Sequence, residues 1–424
     1  MTINRREFIK IAGAGATTLA LAGCATMSGL GKSRVVVIGG GYGGATAAKY
    51  LKLWGGGDID VVMVERNAQF ISCPLSNLVL GGSKSIADLT RSYDGLAKAG
   101  VKIVQDEVAA IDPAKRVLTL ARGSALAYDR LIVSPGVEFM YDTIPALNNE
   151  AAQQIILHAW KAGWETSALR RQLESMRDGG VYAIHIPKAP YRCPPGPYER
   201  ACQVASYFKQ AKPKSKVLIL DANEDIVSKK GLFTKAWNEL YPGMIEYCNN
   251  SELVDVDPAS NTAKLAFGDV KADVLNVLPP MRAGEIAKKT GLITANNGWC
   301  EIDWLTYESK AHKNIHMLGD AVLAAPAMPK SGHMANAQGK ACAAAVLDLL
   351  ANHEVNPSPM LINTCYSFVS DKQVIHVASV HKYDAAKKTM AAVEGSGGVS
   401  AERSELEAAY GQAWAQNIWA DMLT

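Results

Sequence analysis

Three glycines and a glutamate carry the first chemistry legible in this 424-residue chain. Gly39, Gly41 and Gly44 stand in G-x-G-x-x-G register. Gly39 allows a tight turn, Gly41 lets a pyrophosphate approach the backbone, and Gly44 brings a helix close to a strand. Glu65 follows Gly44 by 21 residues, the place of a carboxylate that holds ribose hydroxyls. Cysteines carry the second chemistry. Cys73 lies in the loop Asn67–Asn77, just past the ribose-binding strand and able to run along the rest of a bound FAD. Its plain alternative is a small buried hydrophobe, a common fate of cysteine. Cys193 lies among Pro187, Pro190, Pro194, Pro195 and Pro197. Prolines offer no N–H and fix the backbone, so this loop cannot cradle a pyrophosphate. It stands where a two-nucleotide fold would bring a nicotinamide toward a flavin, which makes Cys193 a candidate redox group.

Those residues need elements to hold them. Arg34–Ile38 reads as a buried strand, Ala45–Leu53 as a small-residue helix, and Asp60–Val64 as a second strand that delivers Glu65. The order strand, glycine turn, helix, strand, carboxylate is far more specific than the glycines alone. Val117–Leu120 and Leu131–Val133 are further strands, and Ser134-Pro135-Gly136 is a short turn that returns the chain to the cofactor, with Gly136 beside it. Ile315–Leu318 runs into Gly319-Asp320, which resembles a second FAD fingerprint whose aspartate contacts the ribitol. Met328–Gly332, with Lys330 in a cofactor-binding position, opens a helix through Ala344 whose N-terminus faces the flavin pyrimidine. The FAD-binding domain is therefore split, 31–146 and 284–354.

Residues 147–283 outline a second nucleotide-binding unit: strand Val181–Ile186, helix Tyr198–Gln210, strand Lys216–Leu220 and then Asp221. Without a glycine loop, this unit is expected not to bind NAD. Residues 355–424 form a C-terminal interface domain. It ends in a helix with Leu406, Tyr410, Trp414, Ile418 and Met422 at spacing four, a stripe expected to pack. The fold class is thus α/β: two Rossmann-like dinucleotide-binding domains in a glutathione-reductase-like arrangement, plus a small C-terminal α+β domain.

Composition is that of an ordinary globular protein with a net charge of +3, two of which belong to residues 1–23. So slight a basic excess argues against a nucleic-acid partner. Asn4-Arg5-Arg6-Glu7-Phe8-Ile9-Lys10 matches the twin-arginine export pattern, and the apolar run Ile11–Leu21 is too short to span a bilayer. Leu21-Ala22-Gly23-Cys24 looks like a lipoprotein box. The expectation is a signal peptide at 1–23, a lipidated Cys24 and a periplasmic address with the membrane as possible anchor. Cleavage after Ala22 or Ala25, with Cys24 incidental, competes. Eight cysteines in an exported chain predict at least one disulfide. No C-x-x-C-H occurs, so this chain attaches no c-type haem, and no cysteine spacing suits a metal.

The glycine start, Ser72-Cys73-Pro74-Leu75-Ser76-Asn77, Tyr191-Arg192-Cys193-Pro194-Pro195-Gly196-Pro197-Tyr198-Glu199-Arg200, Met328–Gly332 and Asn363-Thr364-Cys365-Tyr366 together resemble the flavoprotein subunit of flavocytochrome c sulfide dehydrogenase. The match runs over nearly the whole mature chain. The resemblance implies covalent attachment of FAD at Cys73 and a redox-active disulfide between Cys193 and Cys365. It places Glu199 near that disulfide and Trp414 near the flavin. It also implies sulfide as substrate, elemental sulfur or polysulfide as product, and a c-type cytochrome subunit as electron acceptor. Glu199 would take or relay protons; a solvated helix face is its alternative. The nearest rival is a sulfide:quinone oxidoreductase, disfavoured by a terminal helix without Lys or Arg after Arg403, although a lipid on Cys24 would supply proximity to a membrane. A rival of another class is a non-catalytic, flavin-bearing redox sensor or assembly factor, which rapid turnover with sulfide would exclude.

Overall fold

The structure, a computed structural model, describes residues 32–296 and 298–424; the expected export signal and Cys24 lie outside the described residues. Strand β1 (Ser33–Ile38) carries Val35, Val36 and Val37, all fully buried. Each such side chain contributes about 1.5–3 kcal/mol relative to exposure, so this strand is a firm seat for the turn that follows. Helix α1 (Tyr42–Gly55) starts three residues before the expected Ala45, because Gly43 and Gly44 take helical backbone and let it press on the turn. Strand β2 (Ile59–Glu65) pairs parallel with β1, and β3 (Lys102–Gln105) with β2. Strand β4 (Arg130–Val133) lies on the other side of β1.

The chain then builds a second parallel sheet from β5 (Val181–Ile186), helix α2 (Gly196–Ala211), β6 (Lys216–Asp221), helix α3 (Lys230–Leu240), β7 (Ile245–Cys248) and β8 (Val274–Val277). Its order is β7-β6-β5-β8. Strand β9 (Ile315–Met317) returns to the first sheet beside β4, giving the order β9-β4-β1-β2-β3. Helix α4 (Gly332–Ala351) crosses α1 closely: a Cβ on Gly339 would lie 2.6 Å from the Gly43 carbonyl oxygen. Last comes an antiparallel sheet, β10 (Met360–Phe368), β11 (Val374–Asp384) and β12 (Thr389–Ala392), followed by helix α5 (Glu405–Leu423). This is the mixed α/β architecture expected.

The seven described cysteines, Cys73, Cys193, Cys202, Cys248, Cys300, Cys342 and Cys365, are present as free thiols, the reduced form of any pair among them. One expectation needs correction. The α5 stripe packs only in its second half. Ile418 and Met422 are buried, whereas Leu406 is 61% and Tyr410 52% exposed. Four residues advance a helix by about 40° beyond a full turn, so a spacing-four stripe winds off the buried face within a few steps.

Candidate functional site

The first half of the site is the glycine turn. Gly39 has φ +96°, and a Cβ on Gly44 would lie 1.9 Å from the Gly39 carbonyl oxygen. Neither position tolerates a side chain. A Cβ on Gly41, in contrast, would meet no protein atom within 4 Å. That open space lies over the α1 N-terminus, where no side chain caps the first turn. Glu65 at the end of β2 accepts the Gly40 N–H at 2.7 Å and the Asn67 N–H at 2.8 Å, which fixes its carboxylate beside the turn. Gly136 follows β4 with φ +64° and accepts the Gly284 N–H at 3.0 Å.

Asp320 sits in the turn after β9. Burial raises its pKa, and among the described residues no donor reaches its carboxylate. A carboxylate in that state fits a ligand that brings hydroxyl donors, as a ribitol chain does. Lys330 lines the same cavity with Gly319, Asp320, Pro329, Ser331 and Gln338. Its ammonium donates to the Asp320 and Val322 carbonyls at 2.9 and 2.6 Å and lies 3.7 Å over the Trp299 ring; burial lowers it to about 8. Ser331 caps α4 by accepting the Met334 N–H at 3.0 Å. An open glycine cradle, a placed ribose carboxylate and an unpartnered, half-buried carboxylate thus suit FAD.

The second half is sulfur. Cys193 has a left-handed backbone, φ +60°, and its N–H donates to the Lys330 carbonyl at 2.8 Å. The proline loop is thereby tied to the segment that opens α4. A Cβ on Gly196 would lie 2.8 Å from Cys193 Sγ, so glycine is needed there to seat the thiol. On β10, alternate residues share a face, so Asn363, Cys365 and Ser367 point together. Asn363 accepts from Ser331 Oγ at 2.5 Å and lies 3.5 Å from Cys365 Sγ. Burial pushes both thiols up in pKa. The negative charge of Cys365 raises Cys193 further, while Lys229, Asn363 and Ser331 pull Cys365 down. The structure thus brings Cys193 and Cys365, 171 intervening residues apart, into one electrostatic neighbourhood beside the Lys330–Ser331 segment.

Glu199 is buried at 7% exposure in the first turn of α2, which excludes a solvated face. Its carboxylate accepts the Phe368 N–H at 2.8 Å and Asn77 Nδ2 at 2.9 Å. Burial raises its pKa, against the pull of those donors and of Lys229 and Arg200. Cys73 is partly exposed and accepts the Ala162 N–H at 3.5 Å. Beside it Lys161 is lowered to about 8 by burial and by Arg192. Trp414 Nε1 reaches His333 Nδ1 at 3.4 Å, behind the β10 strand, and the Thr364 N–H donates to the same nitrogen at 3.0 Å.

These contacts involve residues that sequence reasoning missed: Lys229, Asn77, Lys161 and His333. One signal was available. Polar residues on the inward face of β10, where an apolar face is expected, mark a strand that serves a site. Nothing in the spacing around Lys229 and Lys230 sets them apart from a solvated helix start.

Comparison with known proteins bears on the family and the fold. Residues 166–279 match the family model "Sulfide dehydrogenase (flavocytochrome c) flavoprotein chain, central", residues 357–423 match "Flavocytochrome c sulphide dehydrogenase, flavin-binding", and residues 33–165 match "Pyridine nucleotide-disulphide oxidoreductase". The sulfide dehydrogenase (flavocytochrome c) flavoprotein chain of Chlorobaculum thiosulfatiphilum is 51% identical over 49 residues, 12% of this chain and 100% of that sequence. The chain belongs to the flavocytochrome c sulfide dehydrogenase flavoprotein family. Mitochondrial sulfide:quinone oxidoreductase of Mus musculus is 25% identical over 307 residues, covering 68% of this chain and 65% of that protein's length. The solved sulfide:quinone oxidoreductase of Aquifex aeolicus superimposes with a TM-score of 0.72 at 16% identity, covering 92% of this chain and 91% of the other; that likeness is one of fold.

In the second parallel sheet of this family member, the carboxylate at the end of β6 is already engaged by protein donors. Asp221 is fully buried. It accepts the hydroxyls of Tyr198 and Tyr247 at 2.7 and 3.1 Å and Asn223 Nδ2 at 2.7 Å. Tyrosine hydroxyls occupy the acceptors that a ribose would use. NADH is therefore expected neither to bind nor to reduce the flavin appreciably. Rapid bleaching by NADH in a stopped-flow trace would show that the second sheet retains a working site.

Proposed function

We propose that this chain oxidises sulfide at the Cys193–Cys365 pair and delivers the electrons through FAD to a c-type cytochrome subunit. The observation that carries the reading is the link between both cysteines and one cofactor-lining segment: Cys193 through the Lys330 carbonyl, Cys365 through Asn363 and Ser331. In its oxidised form the pair would be a disulfide. Hydrosulfide attacks one sulfur and expels the other as a thiolate by ordinary thiol–disulfide exchange. FAD supplies a two-electron acceptor that returns electrons singly. The chain's own residues do the rest. Lys330 puts positive charge at the α4 N-terminus, where negative charge develops. Glu199 exchanges the proton that hydrosulfide brings. The proline loop holds Cys193 and keeps a nicotinamide out.

Sulfur leaves as elemental sulfur or polysulfide. The cytochrome partner is supported by the family to which the chain belongs, and a periplasmic, lipid-anchored address by Arg5-Arg6 and Leu21–Cys24. Anaerobic addition of sulfide to the holoprotein should bleach the flavin within seconds, and cytochrome c should restore it. A flavin unmoved by sulfide would leave the redox-sensor reading in its place. The quinone alternative has less support: two of the three matched segments point to the flavocytochrome family.

Cys73 is the proposed point of covalent attachment, supported by its place after β2 and by the Ala162 N–H and Lys161 beside its sulfur. A thioether would retain the cofactor in a protein exported away from flavin supply. Acid precipitation should leave the yellow colour with the protein, and Cys73→Ser should release it to the supernatant. Colour wholly in the supernatant from the parent protein overturns the assignment.

A further inference from the structure

Lys229 precedes α3 and holds a left-handed backbone, φ +55° and ψ +35°, which side chains adopt only when their surroundings compel it. It is 8% exposed. Its ammonium donates to Ser367 Oγ at 2.7 Å, to the Cys365 carbonyl at 3.2 Å and to the Ile375 carbonyl at 3.4 Å, and it stands 5.6 Å over the Phe233 ring. These bonds clamp β10 at Cys365 and Ser367. Among the described residues no carboxylate forms an ion pair with it. A buried cation without a counter-ion is costly, and its retention asks for a negative charge that the site itself generates. The anionic groups facing it are Cys365, Glu199, Cys193 and, more distantly, Glu407; Arg192 is the other cation near Cys193. Burial lowers Lys229 to about 8, and each of those anions raises it again.

We propose that Lys229 is the positioning residue of the dithiol: it fixes Cys365 on β10 and supplies the buried positive charge that balances anionic sulfur at the Cys193–Cys365 pair. The proposal rests on the sulfide reading above and deepens it. Hydrosulfide brings one negative charge into the pocket. A sulfur–sulfur bond forms between it and one cysteine, the Cys193–Cys365 bond breaks, and the electron pair goes to the other cysteine as a thiolate. The charge is conserved whichever sulfur is attacked, and no further reagent enters the step. Lys229 meets that charge on arrival. The reduced pair therefore ionises more readily with Lys229 present than without it.

The test reads thiol ionisation rather than turnover. Holoprotein reduced with a phosphine is treated with iodoacetamide across neutral and alkaline pH, and peptide mass spectrometry follows Cys365. Lys229→Met should move the alkylation midpoint up by about one pH unit and slow alkylation near neutrality about tenfold. Lys229→Arg should stay close to the parent, and Cys248, partly exposed on β7, should be unchanged throughout. Coincident profiles for the parent and Lys229→Met overturn the proposal. If Lys229→Met does not fold, Ser367→Ala loosens the same ammonium, and an unshifted Cys365 profile there overturns it equally. Sulfide reduction on the same samples separates the two readings. A parent inert to sulfide but with the Lys229-dependent shift loses the proposed function and keeps the ionic coupling. A parent that oxidises sulfide with no shift loses Lys229 alone.

Discussion

Replacing either Cys193 or Cys365 with serine abolishes sulfide-dependent reduction of cytochrome c, by at least about a thousand-fold, because no disulfide then exists for hydrosulfide to open. Serine is nearly isosteric with cysteine. Neither thiol anchors the core: Cys193 is held through its backbone N–H to Lys330, and Cys365 by the β10–β11 ladder. The flavin should therefore remain bound and the fold intact. The competing explanation is a disulfide that merely staples the C-terminal sheet to the proline loop. Loss of such a bond costs about 2–5 kcal/mol and lowers the melting temperature. If the pair is catalytic and not mainly a staple, the melts of the serine variants should lie close to that of the oxidised parent. A parent-like turnover in both variants would falsify the mechanism. A large melt shift with turnover per bound flavin preserved would reassign the pair to structure.

Two alanine substitutions a few residues apart should fail for different reasons. In Gly44→Ala the new Cβ lies 1.9 Å from the Gly39 carbonyl oxygen and 3.3 Å from Ser134 Cβ, both parts of the turn and strand that seat α1. The helix must lift from the sheet. Overpacking of this kind costs about 1–3 kcal/mol or more, and the expected product is a destabilised chain with little flavin. In Gly41→Ala the Cβ enters open space, so the apoprotein should melt as the parent does. The same methyl group occupies the approach of the pyrophosphate, so flavin content should fall more than tenfold. Absorbance per chain together with apoprotein melts separates the two. If Gly41→Ala retains stoichiometric flavin, the cofactor does not lie across this turn.

The glycine register, the β1 valines and the carboxylate at Glu65 announce themselves because each is a local rule. A turn needs glycine, a parallel strand needs apolar residues on both faces, and a ribose needs an acid at the strand end. The proline loop was legible for the same reason, since missing N–H groups exclude a phosphate whatever surrounds them. Helix ends were less so. The first turn of α1 is made of glycines that propensity would keep out of a helix, and close packing on the sheet overrides propensity there. The stripe on α5 misled because spacing four is near but not equal to the helical period.

The sequence by itself determined the mixed α/β fold, the dinucleotide turn, the absence of a glycine cradle in the second sheet and the cysteines for which redox work is proposed. Tertiary structure alone decided what surrounds them. It fills Asp221 with tyrosine hydroxyls, buries Glu199 between Asn77 and the β10 backbone, and aims Lys229 at the strand that carries Cys365. Those partners lie from 23 to 169 residues away along the chain. The difference is physical. A turn or strand is encoded over a few adjacent residues, whereas burial, proton affinity and charge balance are set by whatever the fold brings within a few ångströms, and no spacing along the chain records that.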